Sequence, residues 1–144
     1  MLTNADGKKS AVRYRIVPAA GLRTLSPDDL ASKSPNYLFD ELSARLSSGP
    51  IVFTLQAQVA EEGDVTDNAT VLWPEERAIV DLGEIKVEKT KGEDESLSEQ
   101  KDIIFDPIPR VDGVEASDDP LLDVRANVYL ISGRQRREAQ VAKP

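Results

Sequence analysis

The segment I-V-F-T-L-Q-A-Q-V-A, residues 51–60, alternates apolar and polar side chains more regularly than any other stretch of the chain. A period of two belongs to a strand, and it predicts one of about ten residues with one half-buried face. The neighbouring segments fit around that strand. Asp6-Gly7 signals a hairpin turn, and A-V-R-Y-R-I-V after it alternates as a strand. Pro18 to Gly21 breaks that strand. Ser26-Pro27, with Asp28 and Asp29 following, reads as a helix start. Leu38, Leu42 and Leu46 mark an amphipathic helix ended by Gly49-Pro50. Residues 61–70 form a polar loop. After Trp73-Pro74, A-I-V-D-L-G-E-I-K-V-E-K reads as a strand with Gly83 at a bend or bulge. K-T-K-G-E-D-E-S-L-S-E-Q-K-D has no apolar period and is expected to be an exposed, mobile loop. A last helix is expected from Asp118-Asp119-Pro120 to about Arg137, with residues 138–144 as a disordered tail. The sum is an α+β fold, antiparallel strands first and a helix last.

Composition narrows the chemistry. The 144 residues include no cysteine and no histidine, which argues against disulfides, zinc, iron–sulfur and histidine-ligated haem. No side chain has an ordinary pKa near neutrality, so the usual general base is missing. A net charge of −8 argues against a nucleic-acid surface. No run approaches the ~20 apolar residues of a membrane span. The start M-L-T-N-A-D-G has neither a charged leader nor an apolar core, so no signal peptide is expected and a soluble, cytoplasmic chain is favoured. Glu61, Glu62, Glu75 and Glu76 lie in polar loops without an acid–base partner and read as solvated surface.

The final helix carries the chemistry. In R-A-N-V-Y-L-I-S-G-R-Q-R, Arg125 and Tyr129 stand four apart and share a face, and Arg136 follows seven after Tyr129 on the same stripe. A permanent cation beside a phenol favours the phenolate, and a phenolate is one of the few axial ligands of ferric haem. Taken alone, Tyr129 also reads as a packed aromatic, Arg125 as a solvated charge, and Arg136 as a surface cation favoured by the helix dipole. Arg134 reads as solvent-facing.

The pattern R-x-x-x-Y-x-x-[ST]-x-R-x-R resembles the proximal haem helix of catalases. Three further blocks agree in order and spacing. Phe105-Asp106-Pro107, Gly113-Val114-Glu115 and Ser117 resemble the approach to that helix. T-V-L-W-P-E-E-R resembles the family's Val-Trp-Pro segment. T-N-A-D-G followed by S-P-N-Y-L-F-D-E-L resembles its Asn-Ala-Asp-Gly hairpin and succeeding helix. The short spacers and the Trp-Pro-Glu-Glu wording are closer to small catalase-related peroxidases than to large catalases.

The resemblance implies that residues 2–137 are the C-terminal half of a catalase-like core, contributing strands to its β-barrel and a haem-facing helix. It implies haem b, with Tyr129 as axial iron ligand, Arg125 as its charge partner, and Arg136 and Ser132 at the cofactor, Arg136 on a propionate. Hydrogen peroxide or an organic hydroperoxide would be the substrate, and a fatty-acid-hydroperoxide-converting relative is a sibling possibility. The family's distal His and Asn precede the hairpin, so the chain is expected to carry the proximal side only and to be weakly active or inactive alone. Homo-oligomerisation, or pairing with a catalase-like N-terminal half, follows from the strand edges left open. A haem-free accessory module is the alternative. Two departures stand out: Gly133 replaces a His or Gln mid-helix, and Ala116 replaces a Pro.

Overall fold

Asn4 organises the first turn. Its Oδ1 accepts from the backbone N–H of Asp6 at 3.1 Å and of Lys8 at 2.8 Å. Gly7 takes the left-handed φ of 78° that closes the loop, a conformation glycine adopts without a steric penalty. The computed structural model describes residues 1–139. The turn joins β1 (Leu2–Thr3) to β2 (Lys9–Ser10) in antiparallel register, with Leu2 opposite Ser10. Then follow β3 (Val12–Pro18), α1 (Pro27–Ala31), α2 (Tyr37–Leu46), β4 (Ile51–Val59), β5 (Ile79–Val87), α3 (Glu93–Gln100) and α4 (Pro120–Glu138). The fold is a mixture of helix and strand. Among the described residues the strands make a two-stranded and a three-stranded sheet, and no closed barrel.

The chain divides into two compact units. The first comprises residues 14–58 and 79–90. Here the three-stranded sheet runs in the order β3-β4-β5, with the alternating segment at its centre. β4 pairs antiparallel with β5 from Ile51 opposite Val87 to Gln58 opposite Ile79. The register slips between Leu55, opposite Gly83, and Gln56, opposite Asp81. That leaves Leu82 without a partner, a bulge accommodated by Gly83 at φ 153°. The expected alternation of burial is not seen: most of β4 is half-buried on both faces, with Ala57 and Gln58 buried side by side. Tyr14 and Ile16 on β3, and Val80, Leu82 and Ile85 on β5, are exposed. Among the described residues the apolar pattern therefore marks exposed surface as well as buried.

At α1 the start signal works as expected. Ser26 Oγ caps α1 by accepting from Asp29 N at 3.1 Å, and Pro27 opens the helix. α2 presents Leu38 and Phe39 to solvent.

The second unit holds residues 1–13, 59–78 and the described residues from 91 onward. Its centre is Trp73, only 7% exposed. The indole Nε1 donates to Val65 O at 2.7 Å, and the Arg13 guanidinium carbon lies 4.2 Å from the ring centroid. Arg13 also donates to the carbonyls of Val65, Asn68 and Val71, so one cation gathers the polar loop around the indole. Arg77 closes the same loop with a forked contact to Asp64, Nε to Oδ2 at 2.9 Å and Nη2 to Oδ1 at 3.1 Å. The Arg77 hydrogen bond, reinforced by Glu61 N, holds the Asp64 carboxyl below the usual aspartate range. Glu61, itself exposed, pairs with the half-buried Arg77 at 2.9 Å.

Residues 93–100, expected as a mobile loop, form α3 instead. The absence of an apolar stripe gave no sign of this helix, and other local forces build it. Glu93, Asp94 and Glu95 place negative charge at the helix's positive end. Lys91 pairs with Glu95 and Glu99, and Gln100 Nε2 donates to Ser96 Oγ at 2.8 Å. The expectation of exposure holds.

α4 begins where expected. Asp119 Oδ1 accepts from Leu121 N at 2.9 Å, and Pro120 fills the first helical position. Asp119 Oδ2 accepts from Ala69 N at 2.8 Å, so one carboxylate caps the helix and ties the 61–72 loop to it. The helix continues through Glu138, into the first residue assigned to the expected tail; residues 140–144 of that tail lie outside the described residues. No helix among the described residues is long and apolar enough to cross a membrane.

Candidate functional site

The stripe singled out in the sequence stands on a continuous helix. Arg125, Tyr129, Ser132 and Arg136 all belong to α4, at intervals that return to one face. Arg125 Nη2 donates to Tyr129 Oη at 3.0 Å, and its guanidinium carbon lies 5.4 Å from the Tyr129 ring centroid. One turn further on, Arg136 Nη1 donates to Ser132 Oγ at 2.8 Å. The two pairs are linked by Phe105, which arrives from outside the helix. Its ring meets Tyr129 edge-on, centroids 6.1 Å apart and planes at 62°, and the Arg136 guanidinium carbon lies 5.2 Å from its centroid. The site is thus a row of cation, phenol, phenyl ring and cation. Tyr129 is half-buried and Arg125 exposed, so the phenol oxygen is reachable.

Arg136 has further partners. Nε donates to Gln100 O at 3.1 Å and Nη2 donates to Ile103 O. Three of the five guanidinium N–H groups are therefore directed at the chain's own oxygens, which leaves two. Arg134 is exposed, as expected.

Gly133 acquires a reason. It is the buried residue of α4, and a Cβ built on it would lie 2.3 Å from Ile104 Cδ1. Glycine inside a helix costs ~1 kcal/mol relative to alanine; here that cost accompanies the close approach of residues 103–105. The sequence offered a signal for this, an isolated glycine inside a helical pattern, which in such a position has a packing reason. It offered none for the contacts of Arg136 with Gln100 and Ile103, which lie 36 and 33 residues away. Among the described residues, no group of three or more Asp or Glu is placed to hold a metal ion.

A helix carrying this arginine–tyrosine pair, on a mixed fold with a three-stranded sheet, defines a class that comparison with known proteins identifies. The sequence matches the family model described as Catalase over residues 1–143, and the chain belongs to the catalase family. It is similar to a catalase-related peroxidase of Mycolicibacterium paratuberculosis, 39% identical over 133 residues, covering 92% of this chain and 41% of that protein. A catalase-related peroxidase of Synechococcus elongatus is 29% identical over 133 residues, covering 92% of this chain and 39% of that protein. The chain thus spans about two fifths of the length of these two peroxidases. Among solved structures, catalase A from Saccharomyces cerevisiae superposes with a TM-score of 0.77 at 23% identity, over 94% of this chain and 30% of that one. A fungal catalase gives the same score and identity, over 94% and 29%. At that identity the likeness establishes the fold alone.

Proposed function

We propose that this chain is the proximal half of a haem-dependent catalase or peroxidase core, with Tyr129 as the axial iron ligand. The observation that carries the reading is the 3.0 Å hydrogen bond from Arg125 to Tyr129 Oη, on the final helix of a chain matching the catalase model from residue 1 to 143. The donor set fits the group. A phenol oxygen that accepts one hydrogen bond from a permanent cation retains lone-pair density for a ferric ion. Haem bound there would supply the redox chemistry on hydrogen peroxide or an organic hydroperoxide. The chain's own residues bind and orient. Tyr129 supplies the ligand oxygen and Arg125 holds its charge. Ser132 supports Arg136, whose two remaining N–H groups are suited to a propionate carboxylate. The β3-β4-β5 sheet would be part of the family's barrel.

Peroxide cleavage also needs a group that moves a proton between the two oxygens, worth ~10²–10⁴ in rate. With no histidine in the chain, that group would come from another polypeptide segment. Incomplete burial supports such pairing. On α4 the side chains of Leu121, Val124, Val128 and Ile131 form an exposed apolar stripe, centred about a third of a turn from Tyr129 at ~100° per residue. A catalase-like N-terminal half or a second copy of this chain would cover it.

The test is reconstitution with hemin. The parent chain should give a five-coordinate, high-spin ferric tyrosinate spectrum, and Tyr129→Phe should abolish it. An unchanged spectrum in that variant would sink the assignment.

A further inference from the structure

The contacts of Arg136 reach beyond the charge it carries. Its guanidinium takes in Gln100 O at 3.1 Å, Ile103 O, and Ser132 Oγ at 2.8 Å, while its plane borders the Phe105 ring. Gln100 closes α3, and the last carbonyls of a helix have no partner within it. We propose that Arg136 is a positioning residue, clamping residues 100–105 onto α4 so that Phe105 fixes the orientation of the Tyr129 ring. The inference rests on the reading of Tyr129 as ligand and goes beyond it, because it gives Arg136 a role that operates without any bound anion.

Three features of the geometry carry it. The planar fork of arginine can serve three acceptors in fixed directions at once, which a lysine ammonium on a flexible stem cannot reproduce. Gly133 leaves the helix surface bare at the point where Ile104 seats; a Cβ there would stand 2.3 Å from Ile104 Cδ1. Phe105, directly after this seat, meets Tyr129 edge-on at 6.1 Å. The clamp, the seat and the ring are consecutive parts of one segment. Tyr129 is therefore flanked by Arg125 on its own helix and by Phe105, which Arg136 holds in place.

The experiment uses the full chain and two readouts. In hemin-free protein, the nuclear Overhauser contact between the Phe105 and Tyr129 rings reports the clamp. After hemin addition, the ferric tyrosinate absorption band reports the ligand. Arg136→Lys keeps the charge, and Gly133→Ala blocks the seat while leaving Arg136 intact. Both should lose the ring contact and shift or broaden the band. Adding Ile104→Val to Gly133→Ala removes the clashing Cδ1 and should restore both signals. Persistence of the ring contact in Arg136→Lys and Gly133→Ala, or failure of the double variant to restore it, overturns the clamp. A parent chain whose ring contact responds as expected but which gives no tyrosinate band refutes the haem-ligand reading and leaves the clamp standing.

Discussion

Replacing Arg125 with alanine tests the contact on which the site depends. The guanidinium donates to Tyr129 Oη at 3.0 Å and lies 5.4 Å from the ring centroid. A hydrogen bond involving a charged group contributes ~1.5–3 kcal/mol where water is excluded. An exposed ion pair contributes only ~0–1 kcal/mol. Arg125 is exposed and Tyr129 half-buried, so the expected loss lies between these limits, about 1–2 kcal/mol. That corresponds to a rise in hemin Kd of roughly 5- to 30-fold. Ligation by a phenol releases its proton, so the affinities of parent and variant both fall as pH is lowered and must be compared at one pH. Equilibrium titration followed by absorbance gives the two constants. The same substitution in the Tyr129→Phe background should cost nothing further, because the partner is gone. Equal affinity in parent and Arg125→Ala would refute the argument, as would an undiminished loss in the Tyr129→Phe background.

Other consequences are open to direct measurement. Trp73→Ala removes the centre of its unit and should cost ~3–5 kcal/mol in urea unfolding followed by circular dichroism; a loss below ~1 kcal/mol would mean the indole is not a core residue. Asp64 is held below its ordinary value of about 3.9, so its contribution to stability is fully present above that pH and lost as pH falls through the lower folded value. Asp64→Asn should flatten the acid limb of the stability profile below about pH 4, and an unchanged limb would assign it to other carboxylates. The exposed apolar side chains should make the chain self-associate at micromolar concentration, and a stable monomer by light scattering would contradict this. Loaded with hemin, the chain alone should release oxygen from peroxide little faster than free hemin, and mixing it with a catalase-like half carrying the distal His should raise the rate. Catalase-level turnover by the chain alone would show that another of its residues serves as the proton-transfer group.

Local signals were legible where the physics is local. Asn4 to Gly7, Ser26-Pro27 and Asp119-Pro120 announce their turn and helix starts because cap and turn chemistry lies within a few residues. Arg125 and Tyr129 were readable for the same reason, since a four-residue spacing on a helix is a distance in space. α3 was not legible, because it is built from charge and capping rather than an apolar period. Arg136 was legible only in part. Its place on the stripe was correct, yet its partners at Gln100 and Ile103 depend on how residues 100–105 cross the helix, which no periodicity encodes.

Burial shows the same division between pattern and packing. The alternation in β4 and the Leu121–Val124–Val128–Ile131 stripe on α4 identify apolar faces, and sequence identifies them well. A face, however, says only that something should cover it. Trp73 finds its cover within this chain, because Arg13 and the 61–72 loop close over the indole. Tyr14, Ile16, Val80 and the α4 stripe stand exposed among the described residues. Leaving apolar area in water forfeits ~25 cal/mol for each Å² that could be buried, so an exposed stripe of four aliphatic side chains is a free-energy reserve for association. In a chain spanning about two fifths of the length of the two catalase-related peroxidases, that reserve lies on the same helix as Tyr129. Association through the stripe would pack a partner against the helix that carries Tyr129, so self-association and hemin affinity should be coupled rather than independent.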